Sequence, residues 1–325
     1  MALRGLARAA FAFAAALALA GCVSNGPVLQ PLIAGHYPAT VDLDDTPFFP
    51  QTRYECGPAA LATVLSASGV AVTPDELASE VYIPGRHGSL QPELVASARR
   101  HDRLPYVPPP SIESLLTSLS AGVPVLVLQK LGFGPFPGWH YAVVVGYDAA
   151  KDRFLLRSGT DRRKLESARY FLATWVRAGS WALLVLEPGV LPPDPDLARY
   201  MEAAAGLEAV GRADAAAAAY EVAVRQWPTA ALPRFALANL ALARGDLAAA
   251  EQGFRSAANL DPDDAAAHNN RAEVLRRMGC SAAARAEIDR ARALAGDGAL
   301  AATVEDTARE VAAMPPGDAA GCPDD

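Results

Sequence analysis

The chain has 325 residues, enough for two domains, and its 51% hydrophobic and 20% charged content is ordinary for globular protein. A net charge of −7 argues against a nucleic-acid partner, because phosphate binding needs a basic face. The longest basic cluster, Arg162-Arg163-Lys164, reads as a solvated edge.

Residues 1–22 read as a targeting segment rather than as part of a fold. Arg4 and Arg8 give a positive start, and the apolar stretch from Ala9 to Ala20 is too short to span a bilayer as a helix. It ends in Leu19-Ala20-Gly21-Cys22, which resembles the bacterial lipoprotein signal. The resemblance implies that Cys22 is lipidated, becomes the new N-terminus and anchors the chain to a membrane outside the cytoplasm. No aspartate follows Cys22, which by analogy with sorting in two-membrane bacteria points to the periplasmic side of the outer membrane. Residues 23–46 are proline-rich and lack sustained periodicity, so a tether is expected there.

Residues 47–190 read as one domain. Ala60, Leu61, Val64, Leu65 and Ala67 recur at helical spacing until Gly69, which puts Cys56 in the first turn of a helix with Pro58 beside it. The positive helix end favours a thiolate, the nucleophilic form of cysteine. Thr73-Pro74-Asp75-Glu76 is a capping box that starts a second helix. Helices follow over 92–100 and 112–120, the latter between Ser111 and Gly122. Strands are predicted over 123–129, 140–147, 153–158 and 181–187, with a helix over 167–177 interposed. Helices first and a mostly antiparallel sheet second make an α+β layout.

The loop Gly132-Phe133-Gly134-Pro135-Phe136-Pro137-Gly138 lacks the Lys-Ser/Thr and the helix of a phosphate loop. It reads as a cleft rim, with Phe133, Phe136 and Trp139 either touching substrate or packing under the loop. The five histidines, His36, His87, His101, His140 and His268, show no ligand spacing, so neither a metal nor a cofactor is expected. His87 and His101 read as surface residues.

His140 opens the buried-strand pattern Trp139-His140-Tyr141-Ala142-Val143-Val144-Val145-Gly146-Tyr147-Asp148. Gln51, then Cys56-Gly57-Pro58-Ala59-Ala60-Leu61, then this histidine run resemble the bacteriocin-processing, double-glycine peptidase family of papain-like cysteine peptidases. The resemblance covers roughly Pro47 to Pro188. It implies Cys56 as nucleophile, His140 as general base and Gln51 as the side-chain donor to an oxyanion. In that family an aspartate on the next strand orients the imidazole. Here Ser158-Gly159 stands in its place, so Ser158 is the candidate orienting group, with Asp161 three residues on as the other. The leading expectation is a peptidase acting on a polypeptide substrate. Its rivals are a weak or inactive scaffold that only holds polypeptides, and another thiol acyl transferase or amidase.

After a linker at 191–196, which contains Pro193-Asp194-Pro195, a repeat appears in residues 197–314. Gly211, Gly245 and Gly279 are spaced by 34, as are Ala216, Ala250 and Ala284; Tyr220, Phe254 and Ile288; and Ala223, Ala257 and Ala291. Pro228 and Pro262 keep the same step. The register resembles the tetratricopeptide repeat, which implies an all-α array with a concave face for a protein partner. Three repeats span about Leu197 to Gly296, a capping helix covers Ala299 to Met314, and 315–325 is a tail. A purely structural appendage is the rival reading. Cys280 and Cys322 remain, and an oxidising compartment permits them to pair.

Overall fold

The computed structural model describes residues 26–51, 55–132, 138–319 and 321–322. Cys22 and its signal segment lie outside the described residues, as do Phe133 and Phe136.

The stretch expected to be only a tether joins the domain. Leu29–Ile33 forms a short helix, α1, with Leu29 and Ile33 buried, and Thr40–Asp42 forms strand β1. Asp152 fastens the helix start, its Oδ1 accepting from the N–H groups of Val28 and Leu29 at 2.7 and 2.8 Å. Then come α2 (Cys56–Ala67), α3 (Pro74–Val81), α4 (Gln91–Arg100), β2 (Leu104–Tyr106) and α5 (Ile112–Ser120). The capping box of α3 forms in full: Thr73 accepts from the Glu76 N–H, and the Glu76 carboxylate accepts from the Thr73 N–H. Strands β3 (Val125–Leu131), β4 (Gly138–Asp148), β5 (Arg153–Ser158) and β6 (Asp161–Ser167) lead into α6 (Ala168–Val176) and β7 (Ala182–Leu186).

The seven strands form one sheet in the order β2-β7-β3-β4-β5-β6, every pairing antiparallel. Beyond Val144, where β3 ends its pairing, β1 takes over that edge of β4. Gly146 makes this possible, since a Cβ there would fall 2.1 Å from the Val41 carbonyl oxygen. Side chains alternate across the sheet, so each strand feeds two cores. Tyr141, Val143 and Val145 of β4 pack with Leu61, Leu65 and Leu94 under the cysteine helix. Ala142 and Val144 face the other side with Leu116, Phe171 and Trp175. The cysteine helix therefore rests on one face of the sheet and α5 and α6 on the other.

Seven helices follow: α7 (Leu197–Ala209), α8 (Ala213–Gln226), α9 (Ala231–Ala243), α10 (Leu247–Leu260), α11 (Ala265–Met278), α12 (Ser281–Ala295) and α13 (Ala301–Ala312). Gly211, Gly245 and Gly279 occupy the inter-helix turns with φ of 77, 78 and 81°, a conformation that favours glycine. The alanines of the period are buried, as are Tyr220, Phe254 and Ile288. The array is fused to the sheet rather than strung from it. Tyr200, Met201 and Leu207 of α7 share a core with Leu104, Tyr106 and Leu184. The Tyr106 hydroxyl donates to the Asp194 carbonyl and accepts from the Asp196 N–H, which pins the linker. Cys280 and Cys322 form a disulfide with Cα atoms 5.4 Å apart. Among the described residues no helix is long and apolar enough to cross a membrane.

Candidate active site

Cys56 opens α2, as its sequence pattern predicts, and lies partly buried. Gly57 follows it for a steric reason. A Cβ at that position would sit 2.2 Å from Ser89 Oγ, so only glycine lets the 89–91 segment close against the helix start. Ser89 Oγ is buried there without a hydrogen-bond partner. Tyr141 ties the same parts together, its hydroxyl donating to the Ser89 carbonyl and its ring meeting Trp181 edge-on at 5.9 Å.

His140 stands near the start of β4, directly across from Gln129 of β3. Its Nε2 lies 2.8 Å from Oγ of Ser158, the last residue of β5, which is buried. Asp161, the rival orienting group, is engaged elsewhere: its Oδ1 accepts from the Arg163 N–H at 2.9 Å. Just past Ser158, the Gly159 carbonyl accepts from the Gln51 N–H at 2.9 Å, so one turn fixes both the histidine partner and the residue expected to face an oxyanion. Gln51, Cys56, His140, Gly159 and Thr160 all line one cavity of about 980 Å³. Trp139 stands exposed at its edge with Lys130 Nζ 5.4 Å from its ring centroid.

The electrostatics of the resting site differ from what the helix position alone predicts. Burial pushes the Cys56 thiol up; the backbone N–H groups of Tyr141, Gly57 and Cys56 favour the thiolate but do not overcome it. Burial likewise lowers His140 to about 4, helped by the Lys164 cation and opposed by Glu166. Thiol and imidazole are thus both neutral near pH 7, and they form no hydrogen bond to each other among the described residues. Where Ser158 accepts from Nε2–H, Nδ1 is the nitrogen left to receive a proton.

Several contributors carry no mark in the sequence. Glu166 is buried, and its Oε2 accepts from Gln129 Nε2 at 2.8 Å, which also donates to Thr174 Oγ1. Lys164 Nζ lies 3.0 Å from Glu166 Oε1. The basic cluster read as a solvated edge thus forms the outermost strand, and the charge of one of its three residues, Lys164, acts on the imidazole. Alternation along β6 runs against hydropathy: Arg163 and Leu165 are exposed, while Lys164 is partly covered and Glu166 is buried. His101 is not a plain surface residue either, since its ring bonds Glu80 at 3.2 Å. His87 lines the cavity. Among the described residues no group of three or more His, Cys, Asp or Glu side chains is arranged to hold a metal ion.

Residues 43–182 match the Peptidase_C39 like family. No curated protein matches the chain. Among solved structures, one described as a C39-like peptidase from Bacillus anthracis is 20% identical, with 45% of this chain and 97% of that chain covered and a TM-score of 0.38. The TPR2B domain of yeast Sti1, solved as a complex with pHsp70, is 17% identical over 36% of this chain and 98% of that one, with a TM-score of 0.34. The Yersinia enterocolitica type III secretion chaperone SycD, solved with a peptide of the translocator YopD, is 16% identical over 36% and 91%, with a TM-score of 0.35. Residues 43–182 thus resemble that family, and the seven helices that follow carry the 34-residue period of the sequence.

Proposed function

We propose that this protein is an extracytoplasmic cysteine peptidase, lipid-anchored through Cys22, whose repeats recruit a protein substrate or partner. The observation that carries the reading is the shared cleft, a single cavity lined by Cys56 at a helix start, by His140 bonded to Ser158, and by Gln51. As Cys56 Sγ bonds to a peptide carbonyl carbon, its proton passes to His140 Nδ1. The carbonyl oxygen becomes an oxyanion, met by the Gln51 amide and the Cys56 backbone N–H. His140 then gives the proton to the leaving amine as the C–N bond breaks, and water activated by the same imidazole hydrolyses the thioester. Ser158 accepts from Nε2–H throughout and fixes the ring tautomer. The Cys280–Cys322 disulfide fits an oxidising compartment.

A hydroxyl in place of a carboxylate stabilises the imidazolium less, and this favours a second reading, a scaffold that holds polypeptides with little turnover. Alkylation separates the two. Full-length protein in detergent, treated with iodoacetamide at neutral pH without reductant, should be carbamidomethylated at Cys56. His140→Ala should slow that step by roughly tenfold or more, the low end of a general base's contribution falling near 10². Equal rates would leave the scaffold. Cys22→Ser should leave the membrane fraction; its retention there would remove the anchor from the account.

A further inference from the structure

A second cavity, of about 410 Å³, lies between the peptidase domain and the first repeat helix, within the size range of ligand sites. Val95, Val107 and Trp181 give it apolar walls, while Arg99 of α4 and Arg199 of α7 bring two cations against one carboxylate, Glu202. Arg199 is engaged, its Nη1 donating to the Val107 carbonyl at 3.3 Å. Arg99 is not satisfied in that way. Its Nε is buried with no hydrogen-bond partner among the described residues, and the Glu202 carboxylate acts on it as an opposing charge.

The repeat helix is shaped around this guanidinium. A Cβ on Gly206 would fall 2.3 Å from Arg99 Cζ, so a glycine stands in mid-helix where it costs about 1 kcal/mol relative to alanine. Arg99 is half-buried and its Nε lacks a hydrogen bond, a deficit that an incoming carboxylate would relieve. The cavity also adjoins the cleft at Cys56. Gln91 lines both, and the edge-on pair of Tyr141 and Trp181 joins one wall to the other.

We propose that the interdomain cavity is a specificity subsite that takes an acidic side chain of the polypeptide held at Cys56. The proposal rests on the polypeptide-binding reading of that cleft, and it assigns the junction with the repeats a direct part in substrate choice. It commits to a side-chain carboxylate among apolar walls, with Arg99 as its main partner and Arg199 as the second.

The test uses full-length protein in detergent and a library of C-terminally amidated decapeptides, so that side chains supply the only carboxylates. Cleavage is read with the wild type and capture with immobilised Cys56→Ala. A preference for Glu over Gln at a fixed distance from the bound or cleaved bond is expected, of roughly tenfold or more, as for one hydrogen bond to a charged group. Arg99→Gln should bring that ratio close to one. Gly206→Ala, which pushes the guanidinium aside, should reduce it as well and serves if Arg99→Gln fails to fold. Capture with an Arg99-dependent acidic preference but no cleavage would uphold the subsite while the peptidase reading falls. Cleavage or capture with no acidic preference, or with one that survives both substitutions, overturns the subsite alone. Neither cleavage nor capture overturns it together with the polypeptide-binding cleft.

Discussion

Ser158 and Lys164 set the character of His140 from opposite directions. The serine hydroxyl bonds Nε2 at 2.8 Å without adding charge, whereas the lysine adds to the burial that lowers the ring to about 4. Ser158→Ala should therefore lower kcat/KM by about tenfold, the value of one lost positioning bond, and Ser158→Asp should keep or raise activity by favouring the imidazolium. An unchanged kcat/KM in Ser158→Ala would show that the hydroxyl does not orient the ring. Lys164→Gln removes a like charge, so NMR titration should find the His140 pKa moved up toward 6.5, the acid limb of kcat/KM moving with it. The sign for stability follows from the same shift. Unfolded chain binds a proton at His140 as pH falls through 6.5, while the folded site resists until about 4, so stability is lost across that window and less of it in Lys164→Gln. Cys56 and His140 were legible in the sequence because each sits in a local pattern, a helix start and a strand start. Lys164 and Glu166 were not, because only the sheet register brings their charges near enough to act on the ring.

At the scale of elements, legibility followed periodicity. A 34-residue step is repeated often enough to name the helical array, and its columns are the buried ones. α1 and β1 have five and three residues, too few to show a period, so a proline-rich approach concealed a helix and a paired strand. β6 was hidden differently. It turns Leu165 outward and Glu166 inward, the reverse of an ordinary half-buried strand and a known device of edge strands. The tail is held to the turn between α11 and α12 by more than sulfur, since Asp318 Oδ1 also accepts from the Ala282 N–H at 2.9 Å. The disulfide closes a sequence separation of 42 residues around α12 and α13. Cys280→Ser should accordingly destabilise the end of the array by ~2–4 kcal/mol, read as faster amide hydrogen exchange in α13. Unchanged exchange there would mean that packing alone retains the cap.

For the whole molecule, the division into two domains is real in sequence but not in packing. Tyr200, Met201, Leu207 and Tyr220 lie in the same core as the sheet, so the first repeat completes the peptidase domain. A chain ending at Pro195 should lose at least ~10 °C in Tm, because several large side chains at ~2 kcal/mol each leave that core uncovered. A chain ending at Gly245 keeps them and should hold its Tm within a few degrees of the intact protein, by the same scaling. If both truncations melt alike, the shared core is not what stabilises the sheet. The site itself draws on every level, from a helix start and a sheet register to a hairpin turn that fixes Ser158 and Gln51 together. Its central claim is that Cys56 forms a bond to a peptide carbonyl with His140 as the base. Intact-mass spectrometry of acid-quenched full-length protein, mixed with a peptide pool, reads this directly. The account predicts acyl adducts on Cys56 in the wild type, none in Cys56→Ala and far fewer in His140→Ala, with new peptide termini appearing in step. Wild-type protein free of adducts, or peptide cleavage that persists in Cys56→Ala, would contradict it.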